Sequence, residues 1–278
     1  SSLYLFPHLT MESKIGFKLR PVSVKEYSTL GGTSAYTFLF TRPEASICRK
    51  LFVNTFWVIP VTDFLSSPNL LEEFETYVRG LNKNIVGKVF SDHPNGGTIL
   101  KDVKGYASEG TIKSMKEGTI HNLVTGFESS FGGAFAKEYH EITDVLKDDH
   151  VNIGGFELNI TYHDENIEIE FHQINCVYTH MLGHDCHSIV AGEGHADEII
   201  AGLNGYKEKG YNLILSSHYV PETLKDVETK IDYLENIKRL AKESSNAEEF
   251  KEKVKAKYSE YSGLNYLDMT AGYFFPQA

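Results

Sequence analysis

A run of four potential metal ligands, His180, His184, Asp185 and His187, lies within eight consecutive residues. Spacings of four and three residues would place the three histidines on one face of a helix. In a strand followed by a turn, the same side chains would point apart. Imidazole nitrogens and carboxylate oxygens suit zinc, iron or manganese. Gly183 weakens a helix in the middle of the run, so the pattern leaves both arrangements open.

The elements that must position these residues follow from the apolar pattern. Alternating or continuous apolar stretches predict strands at residues 17–24, 35–40, 47–53, 85–90, 103–107, 167–171, 175–181 and 212–215, and a hairpin over 149–162 that turns at Gly154 and Gly155. Apolar residues at helical spacing predict helices at residues 68–81, 109–116, 196–209, 223–244 and 247–261. The Gly- and Ser-containing stretch 118–137 has no clear period and is predicted to be a long mobile loop. Strands mixed with crossover helices predict an α/β protein with two stacked sheets covered by helices.

Composition limits the possible partners and the domain count. The chain has 278 residues, of which 41% are hydrophobic, enough for one large domain over 1–278 with a helical extension from about residue 245. Its 27 basic and 38 acidic residues give a net charge of −11, which disfavours nucleic acids and anionic membrane surfaces as partners. A small molecule is the expected ligand. The compartment is left open between the cytoplasm and a mature exported form, and so is the oligomeric state. The three cysteines are expected to be buried free thiols.

Six segments in order along the chain resemble the metallo-β-lactamase superfamily. They are 32–40, 51–56, 89–97, 106–111, 151–158 and 214–218, and the resemblance spans about residues 27 to 244. It implies a four-layer αβ/βα sandwich in which metal ligands lie at one edge of the sheets. The family's His-x-His-x-Asp-His motif followed by Gly-Gly corresponds to Val-Phe-Ser-Asp-His-Pro-Asn-Gly-Gly at 89–97.

The chain departs from the family pattern at the metal ligands. Anchored on Asp92 and His93, the motif has Lys88 and Phe90 where the family has two histidines. Asn54 replaces an aspartate in an earlier turn, and no Gly-His-Thr tripeptide is present. Since Lys⁺ beside a divalent cation is repulsive, we expect the family's two-metal centre to be absent.

The resemblance, together with strand-end placement, suggests one surviving metal site. His218 follows a buried strand, and so do Asp92 and His93, which gives these side chains a rigid support. We therefore expect these three to lie close together, completed by His184, Asp185 or His187, around one zinc, iron or manganese ion or none. Two functions follow from this pattern. One is a metal-dependent hydrolase with at most one metal site, and the other is a non-catalytic relative that binds a ligand or partner without metal. No individual catalytic residue is assigned.

Overall fold

Two β-sheets form the framework of the chain in a computed structural model. The residues that it describes are 4–5, 11–12, 18–23, 37–41, 49–54, 75–76, 79–80, 84–92, 100–131, 138–216, 219 and 221–276. Their strands are β1 (Tyr4–Leu5), β2 (Met11–Glu12), β3 (Lys18–Ser23), β4 (Thr37–Thr41), β5 (Arg49–Asn54), β6 (Asn84–Val89), β7 (Gly105–Ser108), β8 (Asp144–Leu146), β9 (His150–Ile153), β10 (Phe156–Tyr162), β11 (Ile167–Phe171), β12 (Cys176–Thr179) and β13 (Leu213–Ser216). Their longer helices are α1 (Glu109–Glu117), α2 (Thr119–Phe131), α3 (Glu193–Lys209), α4 (Leu224–Lys242), α5 (Ala247–Lys257) and α6 (Leu264–Phe274).

The first sheet has the strand order β1-β3-β4-β5-β6-β7-β8, with β2 paired to β3. Its strands are antiparallel from β3 to β5 and parallel from β5 to β8. The second sheet has the order β13-β12-β11-β10-β9, and β12 and β13 are its parallel pair. Because parallel neighbours end at the same edge of a sheet, the residues that follow β12 and β13 emerge side by side.

A hydrophobic core joins the two sheets. Val89 of β6 and Leu146 of β8 belong to the same buried cluster as the inward-facing residues of the second sheet. Strand β11 shows why, since Ile167, Ile169 and Phe171 are buried while the residues between them are not. This period of two gives the strand one apolar face, which packs against the first sheet.

Helices cover the other face of the second sheet. Val177 and Ile214 pack there in one cluster with residues of α3 and α4 and with Phe250, Val254, Leu267 and Ala271 of α5 and α6. The helices after residue 245 therefore contribute to a core. That residues 1–278 form one domain stays a prediction.

Most strand predictions are confirmed where the chain is described. The hairpin turns at Gly154 and Gly155, both at positive φ, and Ser108 caps α1 by accepting a bond from the backbone N–H of Thr111. Two predictions were wrong. Residues 119–131 are helical rather than a loop, and the predicted last helix ends at Lys257 with α6 after it. Of the two arrangements left open for the 180–187 run, the structure has the strand end followed by a turn. The predicted helix 68–81 lies largely outside the described residues.

The described cysteines agree with the expectation of buried free thiols. Cys176 and Cys186 are buried free thiols, and burial raises the pKa of both. Cys48 lies outside the described residues. None of the helices within the described ranges is long and apolar enough to span a bilayer.

Candidate functional site

Asp92 lies just past the end of β6, where the two sheets meet. Its carboxylate is buried and accepts a hydrogen bond of 3.0 Å from the hydroxyl of Ser91. The carbonyl of Ser91 accepts a bond of 2.8 Å from the backbone N–H of Ile167, at the start of β11. This backbone contact between sheets fixes the loop that carries Asp92.

His180 lies directly after β12 and contacts Asp92 from the second sheet. Its Nδ1 and Asp92 Oδ2 form a short polar contact, and the imidazole is about half exposed while the carboxylate is buried. Burial lowers the pKa of His180, but the charge and hydrogen bond of Asp92 outweigh this and raise it. The structure thus joins a carboxylate from one sheet to an imidazole from the other.

His93 and His218, the other two residues expected at this edge, lie outside the described residues. Each of them has a described residue close to it in the sequence. Asp92 precedes His93, and Ser216 of β13 pairs in register with Thr179 of β12, two residues before His218. That His93 and His218 lie close to Asp92 stays a prediction.

The three histidines of the 180–187 run occupy three different environments. His184 lies at a turn where its Nδ1 is 2.9 Å from Oε1 of Glu222. The same carboxylate accepts bonds from the backbone N–H groups of His184 at 2.8 Å and Gly183 at 3.1 Å. Burial raises the pKa of Glu222, and these three donors oppose the rise.

His187 points into the protein rather than toward the sheet edge. Its ring is buried, and Nδ1 is 3.0 Å from the hydroxyl of Tyr233. Burial lowers its pKa to about 4, helped by the charges of Lys230 and Lys255. Asp185 is half exposed, with Oδ2 3.9 Å from Nε2 of His184. His187 therefore faces the interior, whereas His184 and Asp185 lie together at the turn.

Lys88 and Phe90, which stand where the family has two histidines, contact Leu100 and His140. Val89, between them, faces the core between the sheets, so by alternation the other two face the opposite side of β6. The ammonium of Lys88 donates to the carbonyl of Leu100 at 2.8 Å, and burial lowers its pKa. Phe90 packs against the ring of His140, with centroids 5.0 Å apart.

The described residues provide two ligand atoms at the edge but not a complete metal site. Within these ranges, no group of three or more His, Cys, Asp or Glu side chains is arranged to hold a metal ion. Asp92 and His180 form a carboxylate–imidazole pair that needs further ligands.

The sequence pointed to His180 only as part of the 180–187 run and did not point to Glu222. His180 follows a buried strand as His218 does, and applying the strand-end argument to it would have placed it beside Asp92. The sequence gives no comparable signal for Glu222. Its contact with His184 depends on a bridge between Glu222 and Ile214 of β13.

Comparisons with known proteins identify the fold. No family model and no curated protein matches the sequence. The structure is similar to the DIM-1 metallo-β-lactamase, with a TM-score of 0.51 at 12% identity, covering 85% of this chain and 98% of that one. It is also similar to a metallo-β-lactamase from Pontibacter korlensis, with a TM-score of 0.50 at 15% identity, covering 84% and 100%.

A third similar structure is the inverting sec-alkylsulfatase Pisa1 from Pseudomonas sp., with a TM-score of 0.57 at 14% identity. The match covers 94% of this chain and 50% of the sulfatase, so the chain spans about half of that protein's length. The architecture of two facing sheets agrees with these matches. The chain therefore has the αβ/βα sandwich fold of the metallo-β-lactamase superfamily.

Proposed function

We propose that this chain is a metal-dependent hydrolase that holds one divalent ion at the edge where β6 and β12 end. The observation that carries the proposal is the contact between buried Asp92 and His180, which brings ligand atoms from both sheets together. Carboxylate oxygen and imidazole nitrogen suit zinc. A mononuclear site needs about three protein ligands and an open position, and His93 and His218 would complete it.

The reaction class follows from the fold and from the chemistry of such an ion. When bound, the ion would act as a Lewis acid that activates water and polarises a carbonyl, phosphoryl or sulfuryl oxygen. The similar structures are named as metallo-β-lactamases and an alkylsulfatase, and this supports hydrolysis of a small molecule. Buried Asp92, held by Ser91, would supply a carboxylate oxygen to the ion beside the imidazole nitrogen of His180.

A second function has its own supporting observation. Asp92 and His180 interact directly, and the described residues contain no set of three or more metal ligands. Both facts are compatible with a relative that has lost its metal and binds a ligand or partner in the same cleft.

Calorimetric titration of the apo-protein with zinc separates the two functions. We expect one ion per chain with micromolar or tighter affinity, weakened at least roughly tenfold (about 1.4 kcal/mol) in His180→Ala and in His218→Ala. His172→Ala is the matched control, because exposed His172 begins the turn between β11 and β12 at the opposite edge.

Each alternative result has a definite meaning. No zinc binding by the parent would leave the non-catalytic function. Two tightly bound ions per chain would contradict the single site. Unchanged binding in both histidine variants would place the ion away from this edge.

A further inference from the structure

Three segments of the chain meet around the loop that carries Asp92, and buried hydroxyl groups lie between them. The loop follows β6, helix α1 begins after Ser108, and the turn 163–166 joins β10 to β11. Ser91, Ser108 and Thr111 are all buried there, with at most 2% of each residue exposed. Because a buried hydroxyl without a hydrogen-bond partner is unfavourable, the bonds that these groups make are part of the framework of the loop.

The hydroxyl of Thr111 bonds to the backbone of both neighbouring segments. Its Oγ1 is 3.2 Å from the carbonyl oxygen of Glu165 and 3.4 Å from that of Ser91. Since carbonyl oxygens only accept, these two share the single hydrogen of this hydroxyl. The Ser108 hydroxyl accepts from the backbone N–H of Thr111 at 3.0 Å and lies 2.9 Å from Oγ1. Ser108 must therefore donate to Thr111, which gives the chain of hydroxyls one direction.

The carbonyl of Ser91 is the point at which this chain reaches the proposed metal site. It also accepts the backbone N–H of Ile167 at 2.8 Å, so partners from two segments fix its direction. The Ser91 hydroxyl donates to Oδ1 of Asp92 at 3.0 Å, and Oδ2 of Asp92 contacts Nδ1 of His180. A continuous series of contacts therefore runs from Thr111 through Ser91 to the Asp92–His180 pair.

Gly110 shows how closely α1 approaches the turn 163–166. A Cβ atom at this position would lie 2.2 Å from the carbonyl oxygen of Asp164 and 3.4 Å from that of His163. A side chain here would push the helix and the turn apart, so glycine permits the close approach of the two backbones. This close approach places the hydroxyl of Thr111 within reach of the carbonyl of Glu165.

We propose that Thr111 is a positioning residue of the metal site, an inference that rests on the function proposed above. Its hydroxyl, oriented by Ser108, holds the carbonyl of Ser91 and so fixes the loop in which the carboxylate of Asp92 faces His180. Removing a group that orients a metal ligand from behind commonly weakens metal binding by roughly ten- to a hundredfold. The role assigned to Thr111 is to hold a ligand in place, and it takes no part in the reaction.

Calorimetric zinc titration of two Thr111 variants tests this role. Thr111→Val keeps the shape of the side chain but removes its hydroxyl, and it should weaken zinc binding at least about tenfold. Thr111→Ser keeps the hydroxyl and should bind zinc as the parent does. Urea denaturation of each variant verifies that it is folded under the conditions of the titration.

Thr270 on α6 provides a matched control. It is as fully buried as Thr111, and its hydroxyl also bonds to backbone groups, donating to the carbonyl of Ser188 at 2.6 Å and accepting from the N–H of Val190 at 2.8 Å. Thr270→Val therefore measures what the loss of a buried hydroxyl does to the fold in general. Its zinc affinity should equal that of the parent within the error of the titration.

Amide hydrogen exchange gives a readout that requires neither zinc nor substrate. The backbone N–H of Ile167 donates to the carbonyl of Ser91, so its exchange rate in the apo-protein reports on the loop. It should exchange roughly fivefold or more faster in Thr111→Val than in the parent. In Thr111→Ser and Thr270→Val it should exchange at the parent's rate.

The outcomes separate this inference from the function on which it rests. If the parent binds zinc and Thr111→Val binds it equally well, the inference is overturned and the hydrolase proposal is left in place. An equal loss in Thr270→Val, no recovery in Thr111→Ser, or unchanged exchange of Ile167 in Thr111→Val would also overturn the inference alone. A parent that binds no zinc would overturn both proposals.

Discussion

His184 and His187 are three residues apart, yet the protein places them in opposite surroundings. His184 lies at the surface against the carboxylate of Glu222. His187 lies in the interior against the Tyr233 hydroxyl, and the rings of Tyr233 and Tyr261 have centroids 5.8 and 5.7 Å from its own. One ring has a charged partner and access to solvent, and the other has aromatic neighbours.

The difference shows that residue type alone does not determine the chemistry of a histidine. An imidazole beside a buried carboxylate is held in one orientation by the hydrogen bond between them. A buried imidazole among aromatic rings stays neutral, because its charged form has no water. The three predictions below change one side of this comparison at a time.

The largest effect is expected from removing the carboxylate behind His184. Glu222→Leu leaves the buried backbone N–H groups of Gly183 and His184 without their acceptor. At roughly 1–3 kcal/mol for each unsatisfied group, we expect the free energy of unfolding to fall by about 3–5 kcal/mol, measured by urea denaturation. Exposed Glu228 on α4 is the control, and Glu228→Leu should change stability by less than about 0.5 kcal/mol. A loss below about 1 kcal/mol in Glu222→Leu would contradict the role of this contact.

An intermediate effect on the free energy of unfolding is expected when the pH is low enough to protonate His187. Because its pKa is about 4 in the folded state and about 6.5 in the unfolded chain, only the unfolded chain binds a proton between these values. The stability that His187 contributes is therefore complete above pH 6.5 and is lost as the pH falls to about 4, by up to about 3 kcal/mol.

Urea denaturation of the parent and of His187→Phe between pH 7 and pH 4 measures this contribution. Burial also lowers the pKa of His140, to about 3, so both proteins should lose some stability in acid. The loss should be shallower in the variant. Equal slopes in the two proteins would show that His187 does not titrate as its burial predicts.

The smallest effect is expected from Asp226, which faces His184 but does not bond to it. Oδ2 of Asp226 accepts bonds from the backbone N–H and the hydroxyl of Thr223 at 2.7 and 2.8 Å, at the start of α4. Asp226→Ala should lower the free energy of unfolding by about 1 kcal/mol through loss of this cap. An unchanged free energy of unfolding, measured by urea denaturation at neutral pH, would show that Asp226 does not cap α4.

The sequence predicts the strands of the second sheet well. It does not predict two of the helices of the chain, α2 and α6. Strands β9 to β13 are short apolar stretches bounded by turns, which local pattern alone can locate. Helix α2 was missed because Gly126 and two serines obscure its helical spacing, although Ile120 and Val124 form a buried i, i+4 pair. Helix α6 was missed although Leu267 and Ala271 have the same spacing.

The candidate site is only partly predictable for a different physical reason. Asp92 was selected because residues 89–97 resemble the family's ligand motif and because it follows a buried strand. The pairing of Asp92 with His180 requires knowing that β6 and β12, in different sheets, end next to each other. The destinations of His184 and His187 depend on contacts with Glu222 and Tyr233, which are 38 and 46 residues away. Neither sequence spacing nor residue type contains this information.

The position of α5 and α6 in the chain affects how the protein is made. Val177 and Ile214 lie in strands that leave the ribosome well before the two helices that complete their cluster. Until Phe250, Leu267 and Ala271 have been synthesised, this side of the nascent sheet is only partly covered. The growing chain should therefore present apolar surface to chaperones at this stage, and its final packing step should follow the emergence of α6 from the exit tunnel.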